Sequence, residues 1–253
     1  MHEPAWVGSS GRKVCLLTGA ACVLGADFCR RWRHDYDIVA VYRGGRLPVA
    51  TQDEWLVDPL NPFALLPEDR NPVFGVRSDL RHPEELERVV DLALARFGRI
   101  DVLVNAAVHV HRDRLTCLAS SSQLLDETFA VNATLPIQLA AVVARRLWLH
   151  RKDDNEAWGR NVINLSSMAS FGVVAGVGLS AYSASKVALN MLTAHLAAEL
   201  RPIGVRANVL APTSFPQIIP TSVVSDAVVD LDHSDLTGVV VQLDEHGSRE
   251  VSP

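Results

Sequence analysis

Lysine and tyrosine are scarce in this chain, with three of each among 253 residues: Lys13, Lys152 and Lys186, and Tyr36, Tyr42 and Tyr182. Cysteine is scarce too. Cys15, Cys22, Cys29 and Cys117 show no CxxC spacing, which argues against a zinc site and for free thiols. No basic run occurs and the formal net charge is −5, so the electrostatic footprint of a nucleic-acid binder is missing. The opening residues, Met1–Ser10, lack the charged-then-apolar layout of a signal peptide. The apolar stretch Phe171–Leu179 is too short and too rich in glycine to span a bilayer. These absences point to a cytoplasmic protein with no membrane or nucleic-acid partner.

What is present is the composition of an ordinary globular domain, 48% hydrophobic and 21% charged. Apolar runs of strand length alternate with helix-period segments, which predicts a single-domain α/β fold with a doubly wound parallel sheet covered on both faces. Seven strands are expected at Lys13–Thr18, Asp37–Tyr42, Pro72–Arg77, Ile100–Asn105, Asn161–Ser166, Val205–Leu210 and Val239–Leu243. Helices are expected over Val23–His34, Pro83–Phe97, Ser122–His150, Tyr182–Arg201 and Ser222–Leu231. The proline-dense segment Gly44–Asn71 reads as an irregular loop, and Trp148–Arg160 as a polar surface excursion.

One tyrosine and one lysine stand four apart in Ser180-Ala-Tyr-Ser-Ala-Ser-Lys186. On a helix they share a face. An ammonium there can stabilise a phenolate and draw the tyrosine toward neutrality, fitting it for proton transfer at a carbonyl oxygen. Upstream, Val162-Ile-Asn-Leu-Ser-Ser167 ends a strand at the carboxyl edge, where open α/β sheets bind ligands.

The first strand runs into Thr18-Gly-Ala-Ala-Cys-Val-Leu-Gly25, a glycine-bearing turn that aims helix N–H groups at a pyrophosphate. Gly19 suits the tight turn and Gly25 the close packing of helix on strand. Val23 stands where a glycine would let phosphate approach. After the second strand, Arg43 favours a 2′-phosphate, hence NADP rather than NAD. Asp79 is placed to meet an adenine amino group, with helix capping as its other reading. His109 and His111 lie near the pocket mouth, but no third ligand joins them, so no metal is expected.

The ordered set Thr18-Gly-x5-Gly25, Asp79-Leu80, Asn105-Ala-Ala107, Asn132, Ser166-Ser167, Tyr182-x3-Lys186 and Asn208-x3-Pro212 resembles the short-chain dehydrogenase/reductase family, from about Lys13 to Asp244. The resemblance implies Tyr182 as acid/base and Lys186 as the group that lowers its pKa and holds the nicotinamide ribose. It implies Ser167 as the residue orienting the carbonyl and Asn132 as support for a water-mediated proton relay. It implies cofactor contacts from Gly19, Leu24, Gly25, Arg43, Asp79, Leu80, Asn105, Ala106, Pro212 and Thr213, besides Tyr182 and Lys186. The turn is also similar to the pteridine-reductase-like branch of that family.

The chain departs from the family pattern in Val108, in Thr213 after Pro212, and in the short stretch from Pro212 to Thr237, where a substrate lid is short or absent. The expected activity is NADPH-dependent reduction of a C=O or C=N group on a small organic molecule. The alternatives are a pterin-type heterocycle reductase and a catalytically silent NADP-binding scaffold or sensor. The resemblance further implies a homodimer or homotetramer, with the faces Leu135/Leu139/Val142/Val143 and Ala188/Leu192/Leu196 meeting partner copies.

Overall fold

The computed structural model describes residues 11–252, apart from 48, 50, 51, 54–71, 113, 115 and 117–121. Most of the proline-dense segment, and Cys117, lie outside the described residues.

Among the described residues one sheet holds nine strands: β1 (Lys13–Thr18), β2 (Tyr36–Tyr42), β3 (Gln52–Asp53), β4 (Val73–Arg77), β5 (Val102–Asn105), β6 (Asn161–Leu165), β7 (Arg206–Pro212), β8 (Val240–Asp244) and β9 (Gly247–Val251). Their order is β3-β4-β2-β1-β5-β6-β7-β8-β9. The seven expected strands are all present and parallel; β3 adds a two-residue parallel edge and β9 an antiparallel one. The chain winds outward in opposite directions from β1, so the crevice between the carboxyl ends of β1 and β5 is the topological switch point.

The helices are α1 (Val23–Trp32), α2 (Pro83–Phe97), α3 (Ser122–Trp148), α4 (Lys152–Ala157), α5 (Ser180–Leu200) and α6 (Thr221–His233). Local chemistry sets α2: Pro83 opens it, Glu84 and Glu85 face the positive end of its dipole, and Gly98 closes it at φ 72 with its N–H on Leu94 O. The Trp148–Arg160 segment, expected as a polar surface excursion, contains α4; Asn155 anchors it by donating to Trp148 O at 2.9 Å and Ile203 O at 2.7 Å.

Side chains alternate across β1 into two separate cores. Val14 and Leu16 pack with α2, α3 and α5, while Cys15 and Leu17 pack with α1 and α6. Helix α3 is apolar enough to cross a membrane by composition, yet Leu135, Leu139, Val142, Val143 and Trp148 are buried in the first core. Those four aliphatic positions serve the sheet and not a partner copy, a correction to the expected oligomer face. Leu196 is likewise buried, whereas Val187, Met191 and Leu192 on α5 remain exposed.

At the amino edge of the sheet, one carboxylate gathers distant parts of the chain. Asp232 on α6 accepts from Lys13 Nζ at 3.0 and 3.1 Å and from the Tyr36 hydroxyl at 2.8 Å, while its main-chain carbonyl accepts from Arg206 at 2.8 Å. Burial and the neighbouring carboxylate push the Tyr36 hydroxyl pKa up, so it stays a donor.

Candidate active site

Helix α5 carries the site on one face. Tyr182, Lys186, Asn190 and Thr193 follow one another at helical spacing and each meets the carboxyl half of β6 or the turn beyond it. Thr193 Oγ1 accepts from Asn164 Nδ2 at 2.8 Å, and Asn164 Oδ1 accepts from Asn105 Nδ2 at 2.8 Å. This buried amide chain ties α5 through β6 to β5. Asn190 donates to Ser170 Oγ at 3.1 Å, and Ser170 Oγ donates to Ser167 O at 2.7 Å. The short 3-10 turn Met168–Ser170 is thereby held, with Ser167 Oγ accepting from Ala169 N–H at its start. Asn164, Asn190 and Thr193 were not singled out from sequence; an amide inside the apolar run Val162-Ile-Asn-Leu was the available signal.

Ser167 and Tyr182 are brought together, the serine hydroxyl near enough to oppose part of the rise in the tyrosine's pKa. Ser166 is instead buried, its hydroxyl toward Lys186 O at 3.4 Å, so Ser167 is the serine that faces the tyrosine. Lys186 is 2% exposed. Its ammonium donates to Leu165 O at 2.6 Å and lies 5.9 Å from the centre of the Tyr182 ring.

The electrostatics correct one expectation. Burial raises the Tyr182 pKa above its ordinary 10.0, a shift that the Ser167 hydroxyl only partly opposes. Burial also lowers Lys186 to about 7. A lysine taken out of water is pushed toward its neutral form, and Lys186 does not offset the rise at Tyr182.

Asn132 lies in a stretch of α3 wound as a π-turn, Ala130–Thr134. Its Oδ1 accepts from His109 N–H at 2.8 Å, and its Nδ2 donates to His109 O at 2.8 Å and Ser185 Oγ at 3.0 Å. Both amide hydrogens are committed, so the side chain positions the loop after β5 against α5. A π-turn where a side chain must reach two partners is a common local solution.

A cleft of about 340 Å³ opens at the switch point, lined by Gly19, Arg43, Asp79, Leu80, Ala107 and His109 among others. Tyr182, Lys186 and Ser167 are not among its lining residues. Gly19 has φ +71, and a Cβ there would stand 2.7 Å from Ala106 O and Ala107 N. Only glycine fits. A Cβ on Gly25 would stand 2.4 Å from Gly19 O, which fixes how closely α1 approaches the turn. Thr18 Oγ1 accepts from Ala107 N–H at 3.1 Å, locking the β1 turn to the end of β5.

Several expected contact residues are otherwise engaged. Leu24 and Ala106 are buried and are not among the residues lining the cleft. Asp79, held at about 2 by Arg81, is clamped by that guanidinium at 2.6 to 3.2 Å, so any adenine amino group must share its carboxylate. The Thr213 N–H donates to Leu243 O at 2.8 Å and continues the sheet beyond Pro212, so it is spent. Arg43 is exposed, its carbonyl accepting from Arg77 at 3.3 Å. Val23 is 56% exposed at the first position of α1.

The residues present fit a nicotinamide dinucleotide. Gly19 lines the cleft beside the N-terminus of α1. Asn105 Oδ1 is buried with no partner and the Arg43 guanidinium borders the cleft. No group of His, Cys, Asp and Glu that could hold a metal occurs among the described residues.

Residues 13–222 match the family model described as short chain dehydrogenase. Dehydrogenase/reductase SDR family member 4 of Homo sapiens is 30% identical over 212 residues, covering 82% of this chain and 69% of that protein. D-threitol dehydrogenase of Mycolicibacterium smegmatis is 30% identical over 205 residues, covering 79% of this chain and 69% of that one. A short chain dehydrogenase from Mycobacterium avium superposes with a TM-score of 0.77 at 24% identity, over 96% of this chain and 85% of that one. A blue fluorescent protein from a metagenomic library, solved in complex with NADPH, gives 0.69 at 20% identity, over 92% and 96% of the two chains. With seven of the nine strands and the Tyr182/Lys186 helix inside the matched span, the chain belongs to the short-chain dehydrogenase/reductase family and is an NAD(P)-dependent oxidoreductase.

Proposed function

We propose that the protein reduces a C=O or C=N group of a small organic compound with NADPH. The observation that carries this reading is the placement of Tyr182, near the start of α5, beside Ser167 at the carboxyl end of β6, with burial raising the tyrosine's pKa. Reduction of a carbonyl builds negative charge on oxygen, which needs hydrogen-bond donors in place beforehand. Ser167 donates one hydrogen bond to that oxygen and Tyr182 delivers its proton to it, giving the hydroxyl of the product. Bound NADPH supplies the hydride. A tyrosine with a raised pKa suits the acid of reduction better than the base of oxidation.

In this reading Lys186 fixes the end of β6 through Leu165 and reaches the nicotinamide ribose. Asn132 holds the loop after β5 in register with α5. Gly19, Leu24, Gly25, Asn105, Ala106, Leu80, Pro212 and Thr213 shape the dinucleotide site, with Asp79 toward the adenine and Arg43 toward a 2′-phosphate. Only eight residues, 213–220, join β7 to α6, so the site works without a large lid. The exposed Val187, Met191 and Leu192 on α5 favour a homo-oligomer, which light scattering tests.

Two measurements test the reading. Tyr182→Phe should lower turnover by about 10²-fold or more while dinucleotide binding persists. NADPH should bind more tightly than NADH by about 1–3 kcal/mol, and Arg43→Ala should remove most of that gap. Full turnover in the phenylalanine variant, or equal affinities in the parent, rejects the corresponding assignment.

A further inference from the structure

The two sides of the site differ in charge. On the cleft side stand Arg43, Asp79 and Arg81. On the other side, the segment from Asn161 to Ser185, which includes Ser167 and Tyr182, contains no charged residue, and neither does the segment from Ala207 to Ser225. These segments leave the sheet from adjacent strands, β6 and β7, at the same carboxyl edge, where Leu165 pairs with Leu210. Both then turn apolar side chains to water.

Residues 171–177 are all exposed, and Val173 is 94% exposed. In the 213–220 connection Ile218 is 55% exposed, while its neighbour Ile219 is buried in the core and anchors the connection. The Phe171–Leu179 stretch joins Ser167 directly to Tyr182, so chain continuity keeps it at the reacting groups. Arg31 reaches Ser222 O, beyond the 213–220 connection, and is itself paired with Asp226. Lys186 is committed to Leu165 O.

We infer that the substrate is an uncharged, predominantly apolar carbonyl compound, held between the Phe171–Leu179 stretch and the 213–220 connection. The inference rests on the proposed reductase reading and names its substrate class. A carboxylate or phosphate brought between these two segments would lose water and find no cation on either of them. An apolar chain there covers side chains that now face solvent. Discrimination against the charged analogue then arises from an unpaired group, which rejects far more strongly than a missing methylene does.

The test uses a matched pair of equal chain length, 2-decanone and 9-oxodecanoate, with binding to the full chain read by saturation-transfer NMR. At saturating NADPH, 2-decanone should bind at least tenfold more tightly. Val173→Lys and Ile218→Lys should narrow the gap severalfold by helping the acid, whereas Val173→Ala should change it little. Equal or tighter binding of 9-oxodecanoate by the parent overturns the inference, as does binding of neither compound. If the lysine variants lower the oligomeric mass and leave the preference unchanged, the rim is covered by a second copy and the inference also falls. Preferential binding of 2-decanone without its reduction by either dinucleotide would instead sink the reductase reading and leave the ligand class standing.

Discussion

Asn132 holds His109 by both of its main-chain polar groups, accepting from its N–H and donating to its C=O at 2.8 Å each. A single side chain thus substitutes for a strand partner where β5 has ended. The same amide reaches Ser185 on α5, three residues from Tyr182. The cleft side and the tyrosine side of the site are joined through it.

Replacing Asn132 with leucine keeps the branched outline of the side chain and removes all three bonds. Two main-chain groups of His109 then lose their partners in a half-buried setting, at a cost of about 2 kcal/mol or more in unfolding free energy. Urea denaturation reads this directly. A loss within about 0.5 kcal/mol, the range of an ordinary surface substitution, would show that water replaces the amide freely.

Lys186 makes stability depend on pH. Its pKa falls from 10.5 to about 7 on burial. Between those values the unfolded chain binds a proton that the folded chain has released, so stability rises with pH across that interval. Cys15, Cys22 and Cys29, whose pKa values burial raises, act oppositely once unfolded thiols ionise near 9. The comparison therefore ends at pH 8.5. Relative to Lys186→Met, the parent should gain on the order of 1 kcal/mol from pH 7 to 8.5. A flat difference would mean that the lysine keeps its proton in the fold.

Gly25 allows α1 to sit against the turn that precedes it. A methyl group there would fall 2.4 Å from Gly19 O and 2.6 Å from Ala20 Cα, both backbone atoms. Gly25→Ala must move the helix, and overpacking of this kind costs about 2 kcal/mol or more. Thermal unfolding within a degree of the parent would contradict the close approach.

Val23 does not pack against the sheet, being 56% exposed at the mouth of the phosphate turn. A β-branched side chain there obstructs approach of a diphosphate to the helix N-terminus. Val23→Gly should tighten NADPH binding severalfold in a fluorescence titration, despite about 1 kcal/mol of helix penalty. Unchanged affinity would place Val23 harmlessly beside the phosphates.

The sequence was most legible where burial is two-sided. Strands such as Lys13–Thr18 are continuous apolar runs because both faces meet helices, and Pro83–Phe97 carries its start and stop signals in its own residues. The last strand, Gly247-Ser-Arg-Glu-Val251, was missed because it is polar and mostly exposed; its pairing with β8 alone makes it a strand. The site was legible as an ordered set of residue types, which brought Ser167 and Tyr182 to one place. Proton affinity was not legible, since the Tyr182 and Lys186 shifts depend on burial that spacing does not encode. Nor was the Asn105–Asn164–Thr193 chain, which needs three elements stacked in the right register.

Asp232 has a consequence for how the molecule is made. Its partners include Lys13, at the beginning of the central strand, and Tyr36, at the beginning of the next. A ribosome releases those two residues long before it releases the carboxylate that binds them. Until Asp232 has emerged, the base of β1 carries an ammonium without its counter-ion, and the part of the sheet that α6 covers lies bare. The domain closes late, from its last helix inward. A nascent chain stalled before Thr221 should remain open to proteases that the finished protein resists.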